Sequence, residues 1–216
     1  MSTYTTVVKF FQEGGFFMYP ILLVLAFGVA VGIERYIYIT RARRSNKKLW
    51  EEVAPLLGAG KYPQAASITA KSENAISRIL SYGLSRIKTA RRREDIETAM
   101  EEGLMEMVPR IEKRTHYLAS FANIATLLGL LGTVIGLIEA FTAVANANPA
   151  EKAAILSSSI SVAMNTTAFG LIVAIPLLLI HSYLQSLTTE IVDSLEMASV
   201  KFLNMVSERA RPEGGA

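Results

Sequence analysis

Threonines set among small residues are the part of this chain best suited to chemistry. Between Leu118 and Val144, the residues Ala122, Thr126, Gly129, Thr133, Gly136 and Ala140 are spaced 4, 3, 4, 3 and 4. At about 100° per residue they share one side of a helix, a strip of small side chains with hydroxyls at two levels. Ala163, Thr167, Gly170 and Ala174 repeat the device further along. Hydroxyls on such a surface can bond a helix backbone, hold water or face a titratable group. One strip alone reads first as close helix packing, with threonine bonded to its own backbone. Two matched strips imply that another helix lies close against both. Ser158, Ser161 and Asn165 lie on a different face of the same later segment.

Other chemistry is thin. The absence of cysteine removes disulfides, thiolate metal sites and cysteine nucleophiles together. His116 and His181 are too few for a histidine metal cluster, and as residues near span ends they read as interface histidines. Gly58, Gly60 and Lys61 lack the Ser/Thr and the spacing of a phosphate loop, so they read as a helix-breaking turn. Arg91-Arg92-Arg93 reads as a solvated basic face. No nucleophile–base pair is visible, so an enzyme is not expected, and neither is a cofactor. The net charge of +3 gives no reason to expect nucleic acid.

The elements that hold the threonines are membrane spans. The 216 residues are 51% hydrophobic and 19% charged, with a mean hydropathy of +0.33, too apolar for an ordinary soluble domain. Three segments meet the length of about 20 apolar residues that a spanning helix needs. They lie within 16–38, 118–145 and 160–187. The first lacks a basic region in front and is followed by Glu34-Arg35 and RARRSNKK, which reads as a retained anchor. Residues 41–117 carry 16 Lys/Arg, whereas 146–157 carry one lysine. Basic loops mark the cytoplasmic side, so the N-terminus is expected outside and the C-terminus inside. The expected layout is an outer segment 1–15, a cytoplasmic helical region 39–117, an outer turn 146–159, and a cytoplasmic helix and tail 188–216. The fold class is an all-α integral membrane protein with three transmembrane helices and long helical cytoplasmic extensions.

Helical spacing continues outside the spans. Residues 49–88 show short apolar runs broken at Gly58-Ala59-Gly60 and around Ser72. Ile96, Met100, Met107 and Ile111 keep the spacing and are expected to run on into the second span, with a kink at Pro109. Leu184, Leu187, Ile191, Leu195, Ala198, Phe202 and Val206 step by three or four, which extends the third span into a long amphipathic helix. RPEGGA reads as a frayed end.

One absence constrains any ion pathway. Phe16–Ile33 and Ile160–Leu187 contain no Asp, Glu or Lys, and the second span has only Glu139, near its outer end. Proton passage through hydrocarbon needs a titratable group near mid-depth, so a conducting assembly would have to borrow one. Glu139 suits an outer vestibule instead.

GLLGTVIGLIEAF and SISVAMNTTAFGLIVAIPLLLI resemble the ExbB/TolQ/MotA proton-channel family, the ExbB branch above all. The resemblance covers the three-span layout and roughly residues 100–205. It implies a homo-oligomeric ring, of five subunits, in the bacterial inner membrane. It also implies an ExbD-like one-span partner that carries the membrane aspartate, and a TonB-like protein that receives the work for outer-membrane transport. The family's threonines fall on Thr133 and Thr167, its third-span proline on Pro176. Where ExbB and TolQ proteins commonly carry a third-span glutamate, this chain has Val162. A TolQ- or MotA-like stator subunit is the alternative within the family. A non-conducting scaffold, whose strips only glue helices, is the alternative outside it.

Overall fold

The computed structural model describes residues 10–11, 14–87, 89–90 and 92–210. RPEGGA and Arg91 lie outside them. Among the described residues the chain is helical and forms no strand: α1 (Met18–Gly58), α2 (Tyr62–Ala70), α3 (Ala75–Arg86), α4 (Arg93–Glu112), α5 (His116–Ala145) and α6 (Lys152–Ala210). Three stretches are long and apolar enough to cross a bilayer: Met18–Gly58, Arg93–Ala145 and Lys152–Glu208. The amphipathic continuation expected beyond the third span is present, since α6 runs for 59 residues.

The chain divides into two compact units, Met1–Glu34 with Arg114–Tyr183, and Arg35–Lys113 with Leu184–Ala216. The first unit holds the most apolar stretches. Its helices meet at glycines: the Cβ position of Gly28 lies 2.7 Å from Leu177 Cδ2, and that of Gly32 lies 3.4 Å from Ile180 Cγ2 and 3.7 Å from Leu118 Cδ2. Small residues let spans approach where no hydrophobic effect drives them together. Large apolar side chains point outward, among them Leu23, Phe27, Leu127, Ile138, Ile172 and Leu179. A surface of this kind requires lipid or another protein against it.

The second unit is built as a soluble domain is. Ile76, Ile79, Leu80 and Leu84 of α3 and Ile96, Met100, Met107 and Ile111 of α4 are buried, with Leu184, Ile191, Leu195 and Phe202 of α6. Gly83 makes room for Phe202 and Met100, whose atoms lie 2.8 and 2.9 Å from its Cβ position. Asp95 accepts the Arg92 backbone N–H at 3.0 Å, capping the start of α4. At the other end of α4, buried Arg35 donates to the Ile111 carbonyl, one of the orphan acceptors of a helix C-terminus. Its guanidinium also lies 4.6 Å over the Tyr38 ring.

The interruption expected at Gly58-Ala59-Gly60 is a turn, with Gly60 at φ +75°. The unbroken run from α4 into the second span is not observed. Pro109 stays within α4, and the helix ends at Glu112, before Arg114 at φ 70°. Lys113 has already left the helical region at ψ 136°, and helical spacing of apolar residues is blind to such a two-residue break in the hydrogen-bond ladder.

Candidate functional site

The two small-residue strips close on each other within one chain. The Cβ position of Gly129 lies 3.2 Å from Thr167 Cα and 3.3 Å from Gly170 Cα. That of Gly170 lies 2.7 Å from the Ala125 carbonyl oxygen and 3.1 Å from Gly129 Cα. Further along α5, the Cβ position of Gly136 is 2.9 Å from Ala163 Cβ. Ala122, Ala140, Ala163 and Ala174 are all buried. Thr126 lies at the exposed margin, its hydroxyl bonded to the Ala122 carbonyl at 3.1 Å.

Thr133 and Thr167 meet at the edge of this contact, and both are half-buried. Their hydroxyl oxygens stand 2.9 Å apart. Thr133 Oγ1 is also 2.7 Å from the Leu130 carbonyl, and Thr167 Oγ1 is 2.8 Å from the Gly129 carbonyl. Each hydroxyl has one proton and two acceptor lone pairs. Two protons therefore face four acceptors: Leu130 O, Gly129 O and the two hydroxyl oxygens themselves. Either threonine can donate to its neighbour while that neighbour donates to backbone. The pair has two hydrogen-bond directions without moving a heavy atom.

Sequence pattern does not single out Thr166, one residue away. It is 2% exposed and donates to the Gly14 carbonyl at 2.6 Å, with the Val162 carbonyl 3.1 Å away. Gly14 and Gly15 form the turn before α1, Gly15 at φ +75°. Val162 Cγ1 lies 3.3 Å from the Cβ position of Gly15. Phe10 and Phe11 set their rings against Phe169, at 6.4 and 5.8 Å between centroids. Nothing local marks Thr166 apart from Thr167; what each one meets, Gly14 or Thr133, separates their roles.

Gly132 registers the helices. Its Cβ position is 2.5 Å from Thr166 Cγ2 and 3.4 Å from Phe17 Cβ, so α1 begins level with Gly132. Glu139 is exposed and stands seven residues beyond, about 10 Å further along α5 at 1.5 Å per residue. Pro176 is exposed and lies inside α6 without ending it. His116 is exposed, its ring centroid 4.3 Å from that of Tyr117, and His181 is half-buried. Among the described residues no three His, Cys, Asp or Glu are grouped as a metal site.

A family model describing the MotA/TolQ/ExbB proton channel family matches residues 71–197, which include both threonines. This chain belongs to that family. It is 30% identical over 199 residues to a biopolymer transport ExbB homologue of Methanothermobacter thermautotrophicus, covering 91% of this chain and 69% of the relative. Over 53 residues, 24% of this chain and 23% of the relative, it is 51% identical to the biopolymer transport protein exbB1 of Vibrio cholerae. It is 33% identical over 86 residues to the Tol-Pal system protein TolQ of Haemophilus influenzae, covering 40% of this chain and 37% of that one. The chain is thus a membrane proton-channel subunit of the ExbB/TolQ kind, and not an enzyme.

Proposed function

We propose that this chain is the ExbB-like subunit of an inner-membrane motor that couples proton flow to work on a TonB-like protein. Five copies, with N-terminus outside and C-terminus in the cytoplasm, surround an ExbD-like one-span partner. That partner supplies the membrane aspartate that takes up and releases each proton.

The Thr133–Thr167 pair carries this reading. A carboxylate needs donors and a carboxylic acid needs an acceptor for its O–H. A hydroxyl pair with two directions, half-open at the edge of the helix contact, can serve both forms in turn. The chain has no Asp, Glu, Lys or Arg in 153–189 or Phe16–Ile33, and Glu139 lies beyond the start of α1. Valine at position 162 fits the same division of labour, in which the acid comes from the partner. The glycines and alanines of the two strips, chiefly Gly129, Gly136, Ala163, Gly170 and Ala174, set the closeness that brings the hydroxyls together, while Glu139 lines an outer vestibule. A TolQ-like stator would use the same pair, and the likeness to TolQ keeps that reading beside the first.

Liposomes holding this chain alone should keep an imposed pH gradient, and flux should appear only with the one-span partner. Replacing the partner's membrane aspartate by asparagine should stop the flux, while Glu139→Gln should leave most of it. Proton leak through this chain alone, removed by Glu139→Gln, would place the carrier here and overturn the proposal.

A further inference from the structure

The second unit contains a cavity of about 290 Å³ that no part of the proton pathway uses. Its walls come from α1, α3 and α6 and include Arg43, Asn46, Lys47, Trp50, Glu190 and Lys201. Three cationic side chains face one carboxylate there. Glu190 holds Arg43 at 2.9 Å, which fixes the guanidinium without neutralising the two lysines. Lys47 has an exposed Glu51 at 3.9 Å, a contact too long and too solvated to tie it down.

Asn46 ties the α1 wall of the cavity to α3. The side chain is 4% exposed, and its Oδ1 accepts the Ile76 backbone N–H at 3.4 Å. Its amide Nδ2 is buried in the wall without an acceptor. The indole of Trp50 supplies an apolar wall.

We propose that this cavity binds the phosphate group of a small anionic ligand, with Arg43, Lys47 and Lys201 supplying the charge. The volume lies at the lower edge of ligand pockets, which run from about 300 to 1,000 Å³, and so suits a phosphate with a short substituent, not a whole nucleotide. Guanidinium and ammonium donors match such an oxyanion well. A phospholipid headgroup and a soluble phosphate compound share this chemistry. The site is separate from the threonine pair and stands whether or not the motor reading does.

Trp50 is the chain's sole tryptophan, so its emission reports the cavity directly. The full-length protein is placed in phosphatidylcholine nanodiscs and titrated with inorganic pyrophosphate. In parallel, the nanodiscs are made with increasing phosphatidylglycerol. A saturable change with pyrophosphate identifies a soluble phosphate source. A change only with phosphatidylglycerol identifies a headgroup. In either arm Lys47→Gln and Lys201→Gln should each weaken binding about tenfold, the loss of one charge-assisted contact. Lys48→Gln, an exposed neighbour outside the cavity, should leave it unchanged. No emission change in either arm overturns the proposal, as does a response that Lys48→Gln weakens as much as Lys47→Gln.

Discussion

Thr133 and Thr167, from two different spans, hold their hydroxyl oxygens 2.9 Å apart, and each also lies within hydrogen-bond reach of a main-chain carbonyl of α5. Only one of the two backbone bonds can form while the hydroxyls bond each other. Switching between the two states rotates two C–O bonds and exchanges one backbone hydrogen bond for the other.

The double variant Thr133→Val, Thr167→Val tests that pair. Valine keeps the shape, and interhelical hydrogen bonds in membranes average only about 0.6 kcal/mol, so folding should change little. Partner-dependent proton flux should fall at least about tenfold, equivalent to about 1.4 kcal/mol on the barrier. Stopped-flow quenching of a pH dye inside proteoliposomes measures this. Unchanged flux would reduce the threonines to packing.

Gly170→Leu should prevent the spans from closing. Its Cβ position is 2.7 Å from the Ala125 carbonyl oxygen, a backbone atom that cannot step aside. Overpacking of this kind costs at least about 1–3 kcal/mol. Thermal unfolding in detergent should show a lowered midpoint or no folded protein. Gly58→Leu, with nothing within 4 Å of its Cβ position, provides the control and should unfold near the native midpoint.

Thr166→Val removes the buried donor to Gly14. The Gly14 carbonyl would then lack this bond at a buried site, a loss of about 1–3 kcal/mol. Protease cleavage near the N-terminus of α1 should accelerate before global unfolding does. Thr166→Ser keeps the hydroxyl and should restore much of the protection; equal cleavage of all three proteins would show that the bond holds nothing in place.

Orientation is open to direct labelling. A cysteine at Asn148 should react with an impermeant thiol reagent in intact cells, and one at Lys48 only after lysis. Both positions are exposed, which makes them suitable, whereas nearby Asn46 is 4% exposed and would be shielded on either side. The reverse labelling pattern would invert the topology and the direction of the pathway.

The sequence by itself determined the three apolar stretches, because the length of an uncharged run is a property of one segment. It also determined the continuation of α6, since Leu184, Ile191, Leu195 and Phe202 recur at helical spacing and all four are buried. The positions of both small strips were legible for the same reason. What covered them was not. A strip of glycine and alanine looks alike whether it meets a neighbouring subunit, a partner helix or its own chain, and only the tertiary structure set Gly129 against Gly170. The break at Lys113 and Arg114 lies in backbone angles that no apolar period records. Thr166 and Gly14 are 152 residues apart, and the cavity around Asn46 draws on three helices. Periodicity says which face of a helix is used. Long-range packing decides what that face touches, because close contacts depend on both surfaces at once.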